Sequence, residues 1–381
     1  MRNFGLWASA FMLGAAVTLA YADQPQQASN DYLKSSGTKP MFERLSLLSD
    51  EDQTALRNAT AVTVPHFSGK FNYEGRTHRY TIAGGSPQHG GTTTIPTAIV
   101  PLRLVFEGYT DANGRTIVLD GSSHVADVKH SPNFATADYS VGDHLQFADA
   151  VQIAQFYNVR RASWHTKLGE PRVLRPLTIH VPKYAAQVSQ ATDGSYSAMM
   201  NYYSFAPKLL SAITRSGVAP SELAIFLADN VYMYEGKTDR CCVLGFHIAI
   251  PVTTATQKRA TQALAYATWV PPGEFSNADI ADVMPLSHEI SEFVNDPFIN
   301  NWVPAWEYPD GSHCGPNLET GDPIEVLDNP VYPVMIGTTT YHPQTEALLQ
   351  WFTRTTPSDA FDGAYSYPDM TALTAPAQDC Q

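Results

Sequence analysis

The stretch LSHEISEFVNDP, residues 286–297, is the part of the chain from which the fold and the chemistry are best approached. In a helix, residues four apart lie on one face, so His288 and Glu292 would point the same way. Apolar residues recur on another side of the same helix and should face the core: Leu286, Ile290, Phe293 and Val294. Pro285 suits the first turn of a helix, and Pro297 would end it. The spacing therefore predicts an amphipathic helix with two possible metal ligands one turn apart.

The motif H-E-x-x-E at residues 288–292 indicates metal chemistry. It has the layout of the H-E-x-x-H metalloprotease helix, with Glu292 in place of the second histidine. A metal lowers the pKa of a water molecule toward ~7, and a nearby carboxylate can then take its proton. Glu289 lies about 100° further round the helix than His288 and is placed for that task. We predict that His288 and Glu292 bind a metal and that Glu289 is the general base.

The third ligand should come from a later element, as it does in metalloproteases of this helix type. Glu319 is the first candidate and Asp322 the alternative, both in a segment that begins at Cys314. His313 is a weaker option, although histidine is a better zinc ligand than a carboxylate is. His247 lies on a predicted buried strand, where a lone histidine is usually a core residue, and it is a further candidate ligand.

The ligand types suggest one divalent metal. Zinc tolerates carboxylates, but one histidine with two carboxylates is an oxygen-rich set that also suits manganese or calcium. Zinc is the leading expectation, and it would be favoured further if His247 or His313 joined the site.

Composition limits the function classes. The chain has 381 residues and a net charge of −13, which argues against nucleic acid and anionic membrane surfaces as partners. Residues 1–22 have the features of a secretory signal peptide: Arg2, an apolar run at 4–19, and A-Y-A before Asp23. No other stretch approaches the ~20 apolar residues that span a bilayer. We therefore expect a secreted protein, extracellular or periplasmic.

The hydrophobic patterns predict an α+β fold with a mixed β-sheet, a β-rich N-terminal half and a zincin-like HExxE helix in the C-terminal half. We divide the chain into a disordered leader (23–40), a β-rich part (41–130) that opens with a helix at 41–61, a mixed α/β part (131–355) and a polar tail (356–381). Strand patterns occur at 78–82, 95–106, 115–119, 173–181, 222–233, 242–252 and 264–270, and helical patterns at 141–158 and 205–216.

Four cysteines follow the signal peptide: Cys241, Cys242, Cys314 and Cys380. In an oxidising compartment an even number suggests disulfides. A bridge between adjacent cysteines is strained and rare. We therefore expect Cys241 and Cys242 to pair with the two later cysteines, in either order.

Four segments together resemble the EXORDIUM, or phosphate-induced protein, family, and resemble secreted bacterial proteins related to it even more. They are C-C-V-L-G-F-H at 241–247, H-E-x-x-E-x-x-N-D-P at 288–297, N-W at 301–302 and E-x-G-D at 319–322. The sequence departs from the family pattern because Asp296 is inserted before Pro297 and Cys314 precedes Glu319. The similarity covers residues 222–322, about a quarter of the chain, and implies a secreted, wall-associated or extracellular protein.

These observations favour a secreted metal-dependent hydrolase, protease-like, acting on a peptide or on a cell-wall or other extracellular substrate. The strand at 264–270 could hold an extended peptide by β-augmentation. The alternative is a non-catalytic secreted or cell-surface binding protein with a structural or vestigial metal site, in which Trp302, Trp306 and Trp351 could stack on sugars. A glycoside hydrolase is a third option, disfavoured because Glu289 and Glu292 lie on one helix rather than across a cleft.

Overall fold

The computed structural model describes residues 63–254, 256, 258–277 and 279–380. The expected signal peptide, the leader and the helix at 41–61 lie outside the described residues.

Short helices and many strands make up the described chain, which is a mixed α+β fold. The α-helices are α1 (Val125–His130), α2 (Phe147–Gln155), α3 (Tyr202–Ser216), α4 (Met284–Asn295), α5 (Asp322–Glu325) and α6 (Leu349–Phe352). The strands are β1 (His66–Tyr73), β2 (Arg76–Ala83), β3 (Thr92–Ile95), β4 (Thr97–Thr110), β5 (Thr116–Asp120), β6 (Ala137–Tyr139), β7 (Gly142–Leu145), β8 (His165–Leu168), β9 (Arg172–Val173), β10 (Leu177–Val181), β11 (Ala186–Gln190), β12 (Tyr196–Asn201), β13 (Leu223–Asp229), β14 (Val231–Tyr234), β15 (Cys241–Val243), β16 (Gly245–Thr253), β17 (Arg259–Trp269), β18 (Trp302–Glu307), β19 (Cys314–Asn317), β20 (Val334–Ile336), β21 (Thr339–Tyr341), β22 (Glu346–Ala347) and β23 (Ser366–Tyr367).

The largest sheet has the strand order β10-β4-β13-β17-β16, and β5 and β9 also pair with β4. The strands β10, β4, β13 and β17 are parallel, whereas β16 is antiparallel to β17 and lies at the edge. Parallel strands are covered on both faces and so read as continuous apolar runs, as β13 does. Because β17 pairs on both sides, its backbone cannot accept another strand. The prediction that residues 264–270 hold a peptide by β-augmentation is therefore wrong.

Helix α4 packs on β16 and β17, and its predicted apolar stripe lies in the largest core cluster. The opposite, polar side of α4 is buried as well, so that all 12 residues of the helix are inside the protein. On that side Asn295 accepts hydrogen bonds from Gln152 and Gln155 of α2 through its Oδ1, at 2.9 Å each. The helix therefore carries its polar side chains into the interior rather than to solvent.

The cysteine pairing differs from the expectation. Cys241 is bonded to its neighbour Cys242, and Cys314 is bonded to Cys380. The C-terminal segment bridges β18 through Asp379 and Trp306, and this brings the last two cysteines together with their Cα atoms 6.0 Å apart. The first two lie in the buried strand β15, in a separate core cluster.

Most of the predicted strands, and the helix that ends at Gly217, are confirmed. The helix predicted at 141–158 is wrong in its extent, because 142–145 is strand β7 and only 147–155 is helical. His144, at φ 58°, has a left-handed backbone conformation that interrupts the helical pattern. The expected polar tail also differs, since it contributes buried side chains to the core: Ala360, Ala364, Tyr365, Tyr367, Leu373 and Ala377.

Among the described helices, none combines the length and the apolar character that crossing a membrane requires.

Candidate metal centre

Two groups of side chains that could hold a metal ion are formed by residues of α4, β16 and α5, and they share Glu292. The first group is His288, Glu292 and Asp322, and the second is His247, Glu289 and Glu292. Within each group one ligand atom of every residue lies within 4.8 Å of the others, and every residue is buried. Helix α4 supplies three of these side chains, β16 supplies His247, and the first residue of α5 supplies Asp322.

The first group has the spacing of a metal site. His288 Nε2 lies 3.1 Å from Glu292 Oε1 and 3.7 Å from Asp322 Oδ1. Two ligands of a tetrahedral metal with bonds of ~2.1 Å lie about 3.4 Å apart. The three side chains therefore fit around one ion with small adjustments.

Gln344 orients the ring of His288. The Gln344 amide donates through Nε2 to the carbonyl oxygen of Gly321 at 2.6 Å, so its Oε1 faces His288 Nδ1 at 3.2 Å. Because Oε1 only accepts, Nδ1 must carry the proton that it receives. Nε2 then points at Glu292 and Asp322, which is how metal-binding histidines are commonly held.

The backbone around Gly321 lies directly on the first group. Its N–H donates to Glu292 Oε1 at 3.1 Å, and a Cβ built on Gly321 would come 2.3 Å from His288 Nδ1. Tyr308 donates its hydroxyl proton to Asp322 Oδ2 at 2.6 Å, and the other oxygen of Asp322 faces His288. Position 321 therefore requires glycine because a larger side chain would collide with His288, and not because the backbone adopts an unusual angle there.

Gly321→Ala is expected to weaken metal binding by about 10- to 100-fold, the usual cost of disturbing a group that holds a ligand. The added methyl group must displace the His288 ring or the loop that carries Asp322. Isothermal titration of the metal-free protein would measure the change. Gly337→Ala lies outside both groups at a left-handed turn (φ +62°) with nothing within 4 Å of the added carbon, so it controls for the general effect of backbone strain on the protein. Equal affinities of the Gly321→Ala variant and the wild type would contradict the prediction.

The second group is built around His247. Its Nδ1 lies 3.5 Å from Glu289 Oε2 and 3.3 Å from Glu292 Oε2. On the other side of the ring, Nε2 lies 3.3 Å from the carbonyl oxygen of Asp296 and 3.7 Å from Glu319 Oε2. The ring thus joins the carboxylates of α4 to the segment that follows the helix.

Among the carboxylates of the two groups, Glu289 is the one whose oxygens make no hydrogen bond within the described chain, and its charged neighbour is His247 at 3.5 Å. It is fully buried, and neither of its oxygens has a hydrogen-bond partner among the described residues. Gly245, at the start of β16, packs against it so closely that an added Cβ would lie 2.5 Å from Oε1. A buried carboxylate without hydrogen bonds is costly, which points to a cation or a reacting group beside it.

Carboxylates outnumber histidines in this interior. The buried acidic side chains near the two groups are Glu289, Glu292, Asp296, Glu319, Asp322 and Glu346. Burial raises the pKa of Glu289 to about 7 and the pKa of Glu319 and of Glu346 well above its usual range. Burial acts in the same direction on Glu292, but the neighbouring His288 and His247 outweigh it and lower its pKa. The surplus of acids is what a bound cation would compensate.

The two histidines respond in the opposite way. Burial favours their neutral form, but the carboxylates outweigh it: Glu319, Glu289 and Glu292 raise the pKa of His247 well above its usual value. In the same way Glu292 and Glu289 raise the pKa of His288. Without a metal, both rings therefore hold a proton that an ion would have to replace.

Metal binding is expected to weaken as the pH falls, because each histidine must lose its extra proton to bind. The raised pKa values of His247 and His288 extend this competition above the usual range of histidine, so affinity should fall as the pH is lowered through those pKa values, by roughly tenfold per unit for each proton released. Calorimetry in two buffers of different ionisation enthalpy would count the protons. A pH-independent affinity would contradict the prediction.

The structure brings together most of the residues that the sequence suggested. His288, Glu292 and Asp322 form one group, whereas Glu319 lies beside His247 and outside both groups. His313 is exposed, and its ring stacks on Tyr308 at 3.7 Å between centroids, so it lies outside both groups as well.

Sequence reasoning did not identify Gln344, Tyr308 and Glu346 as parts of this region. Tyr308 lies in a stretch rich in proline, glycine and asparagine that predicts loops up to about residue 343, and Gln344 and Glu346 directly follow it. Glu346 offered one signal, a carboxylate directly before the apolar run that begins at Ala347. Gln344 and Tyr308 offered none, because their roles depend on contacts with distant residues.

Comparison of the chain with protein-family models, with curated proteins and with solved structures finds no match. The resemblance of residues 222–322 to the EXORDIUM family therefore stays a prediction.

Proposed function

We propose that this protein is a secreted metal-dependent hydrolase whose ion is held by His288, Glu292 and Asp322. The observation that carries the proposal is a set of three protein ligands next to a buried carboxylate, Glu289, that has no hydrogen-bond partner in the described chain. Three protein ligands leave a position for water, as in catalytic sites, whereas structural sites use four. The ion would act as a Lewis acid and make that water more acidic.

Glu289 is the general base of this proposal. Its pKa, raised to about 7 by burial, suits a group that accepts a proton near neutral pH. It belongs to the same turn of α4 as the ligands, and one of its oxygens lies within 4.8 Å of an oxygen of Glu292. Gly245 packs against Glu289 and limits its movement.

The metal and substrate follow from the surroundings of the first group. One nitrogen and two oxygen ligands suit zinc, and they also suit manganese or calcium. A zincin-like peptide hydrolase is supported by a motif helix that packs on an antiparallel edge strand, β16. The substrate in this proposal is a peptide or another extracellular polymer. Export is supported by the Cys314–Cys380 disulfide, since such bonds persist in oxidising compartments.

A second candidate function is favoured by the burial of the centre. His288 and Glu289 are 0% exposed, Asp322 is 2% exposed and Glu292 is 3% exposed. A closed centre suits an ion that joins α4 to the first residue of α5 in a non-catalytic secreted or cell-surface binding protein. Trp302, 47% exposed, is the tryptophan best placed to contact a ligand in such a protein.

Glu289→Gln separates the two functions. We expect the variant to keep the ion of the first group and to lose hydrolysis of a peptide library by about 10²- to 10⁴-fold, the contribution of a general base. His288→Ala should lose both that ion and activity. His124→Gln, a histidine beside Asp229 outside both groups, serves as the control. A wild type that contains metal and hydrolyses nothing would favour the structural site, and a wild type that binds no added zinc or manganese would exclude both.

Export is tested separately. The mature protein recovered from a secreting host should begin at Asp23. N-terminal sequencing that reads Met1 or Arg2 in the recovered protein would contradict the proposed secretion.

A further inference from the structure

We propose that the centre binds a second divalent cation, held by His247 Nδ1, Glu289 Oε2 and Glu292 Oε2, with Glu292 bridging the two ions. The inference rests on the proposed function for the first ion, at His288 and Asp322, and adds a site beside it. Three observations carry it: the position of Glu292, the orientation of His247 and the isolation of Glu289.

Glu292 presents one oxygen to each histidine. Its Oε1 lies 3.1 Å from His288 Nε2, and its Oε2 lies 3.3 Å from His247 Nδ1. A carboxylate placed in this way can donate one oxygen to each of two ions. Ions in two-metal hydrolytic sites are about 3.5–4 Å apart, a distance that a bridging carboxylate can span.

The orientation of His247 leaves its Nδ1 facing two acids. The carbonyl oxygen of Asp296, 3.3 Å from Nε2, can only accept, so Nε2 carries a proton and Nδ1 is the nitrogen left to face the two carboxylates. Without a metal, this nitrogen holds a second proton between the carboxylates of Glu289 and Glu292, which is the position that a cation would take over. The Nδ1–oxygen separations of 3.3 and 3.5 Å exceed the ~2.7–2.9 Å of charge-assisted hydrogen bonds. They match the about 3.4 Å between ligands of a tetrahedral metal.

The isolation of Glu289 is an independent observation. Its side chain is fully buried, and within the described chain its two oxygens make no hydrogen bond. Gly245 has no side chain, and the space that a Cβ would take is filled by Glu289 Oε1, Cγ and Cδ. The carboxylate is thus confined to a position where Oε2 faces His247, at 3.5 Å.

The second site changes the role of Glu289. With one nitrogen and two oxygen ligands, the site would take zinc or manganese. With both ions bound, Glu289 would be a ligand and would no longer serve as the base. With only the first ion bound, Glu289 remains the base.

Metal content per chain distinguishes the two sites. The full-length protein, stripped of metal and dialysed against excess Mn²⁺ or Zn²⁺ and then against metal-free buffer, would be measured by plasma mass spectrometry. We expect about two ions in the wild type and about one in His247→Ala. Gly245→Ala, which crowds Glu289, should also keep about one. The control His124→Gln should keep two, which excludes adventitious binding by an ordinary histidine–aspartate pair.

A spectroscopic readout guards against a variant that misfolds. The Mn²⁺-loaded wild type should give the electron paramagnetic resonance signature of two spin-coupled ions, and His247→Ala should give that of an isolated ion. Far-ultraviolet circular dichroism would establish that the variants fold. One ion in both the wild type and His247→Ala would overturn the second site and leave the proposed function standing. No ion in the wild type would overturn both.

Discussion

Glu292→Gln is expected to leave the protein without bound metal. The substitution keeps the shape of the side chain and removes the negative charge that both ligand groups share. A neutral amide is a weaker metal ligand, and its N–H₂ group would face one of the histidines as a donor. Plasma mass spectrometry after exhaustive dialysis should find less than about a tenth of an ion per chain, the result of losing ~2 kcal/mol or more of binding free energy at each site.

The matched control for this change is Glu222→Gln, a glutamate that pairs with Arg172 at 2.8 Å and lies outside both groups. That variant should retain the metal content of the wild type. If Glu292→Gln bound metal as tightly as the wild type does, Glu292 would not be a ligand. The proposed centre, in which both groups use Glu292, would then be wrong.

Removal of the metal is expected to lower the thermal stability of the wild type. Without a cation, the buried carboxylates must be neutralised by protons or repel one another, and the centre joins α4, β16 and α5. An ion present at about 1,000 times its dissociation constant stabilises the folded state by ~4 kcal/mol, which chelation would remove. Differential scanning calorimetry with and without a chelator would record the decrease in Tm.

Glu292→Gln supplies the control for that experiment as well. Because this variant should bind no ion, its Tm should be unaffected by the chelator. A wild type whose Tm is equally unaffected, despite measured metal content, would show that the ion contributes nothing to folding.

Local sequence patterns correctly predicted the helices and strands that carry a strong pattern of their own. Helix α4 was identifiable from its apolar spacing, and α3 from its end at Gly217, which adopts the left-handed conformation that glycine favours. The continuous apolar run of β13 likewise indicated a buried strand. Strand β7 was missed because it has only four residues, Gly142 to Leu145, and lies directly before the helical pattern, so that its short, largely polar sequence gave no strand signal of its own.

Tertiary contacts, which no local pattern reveals, determine the third ligand, the surroundings of His247 and the cysteine pairing. The sequence offered Glu319 and Asp322 three residues apart, and only the turn that begins α5 brings Asp322 rather than Glu319 to His288. His247 looked like an ordinary core histidine, because its carboxylate neighbours come from a helix some 40 residues later. The cysteine pairing depended in the same way on where the C-terminal segment docks.

The ligands of the centre are spread from His247 to Asp322, on a strand, a helix and a turn that meet only in the folded chain. In the unfolded polypeptide, the only ligands close together in the chain are therefore those of the H-E-x-x-E segment. For the exported protein that we propose, a chain translocated in an unfolded state would cross the membrane without its metal. The ion would then be acquired where the chain folds, so the metal supply of that compartment, rather than of the cytosol, would decide which ion the protein carries.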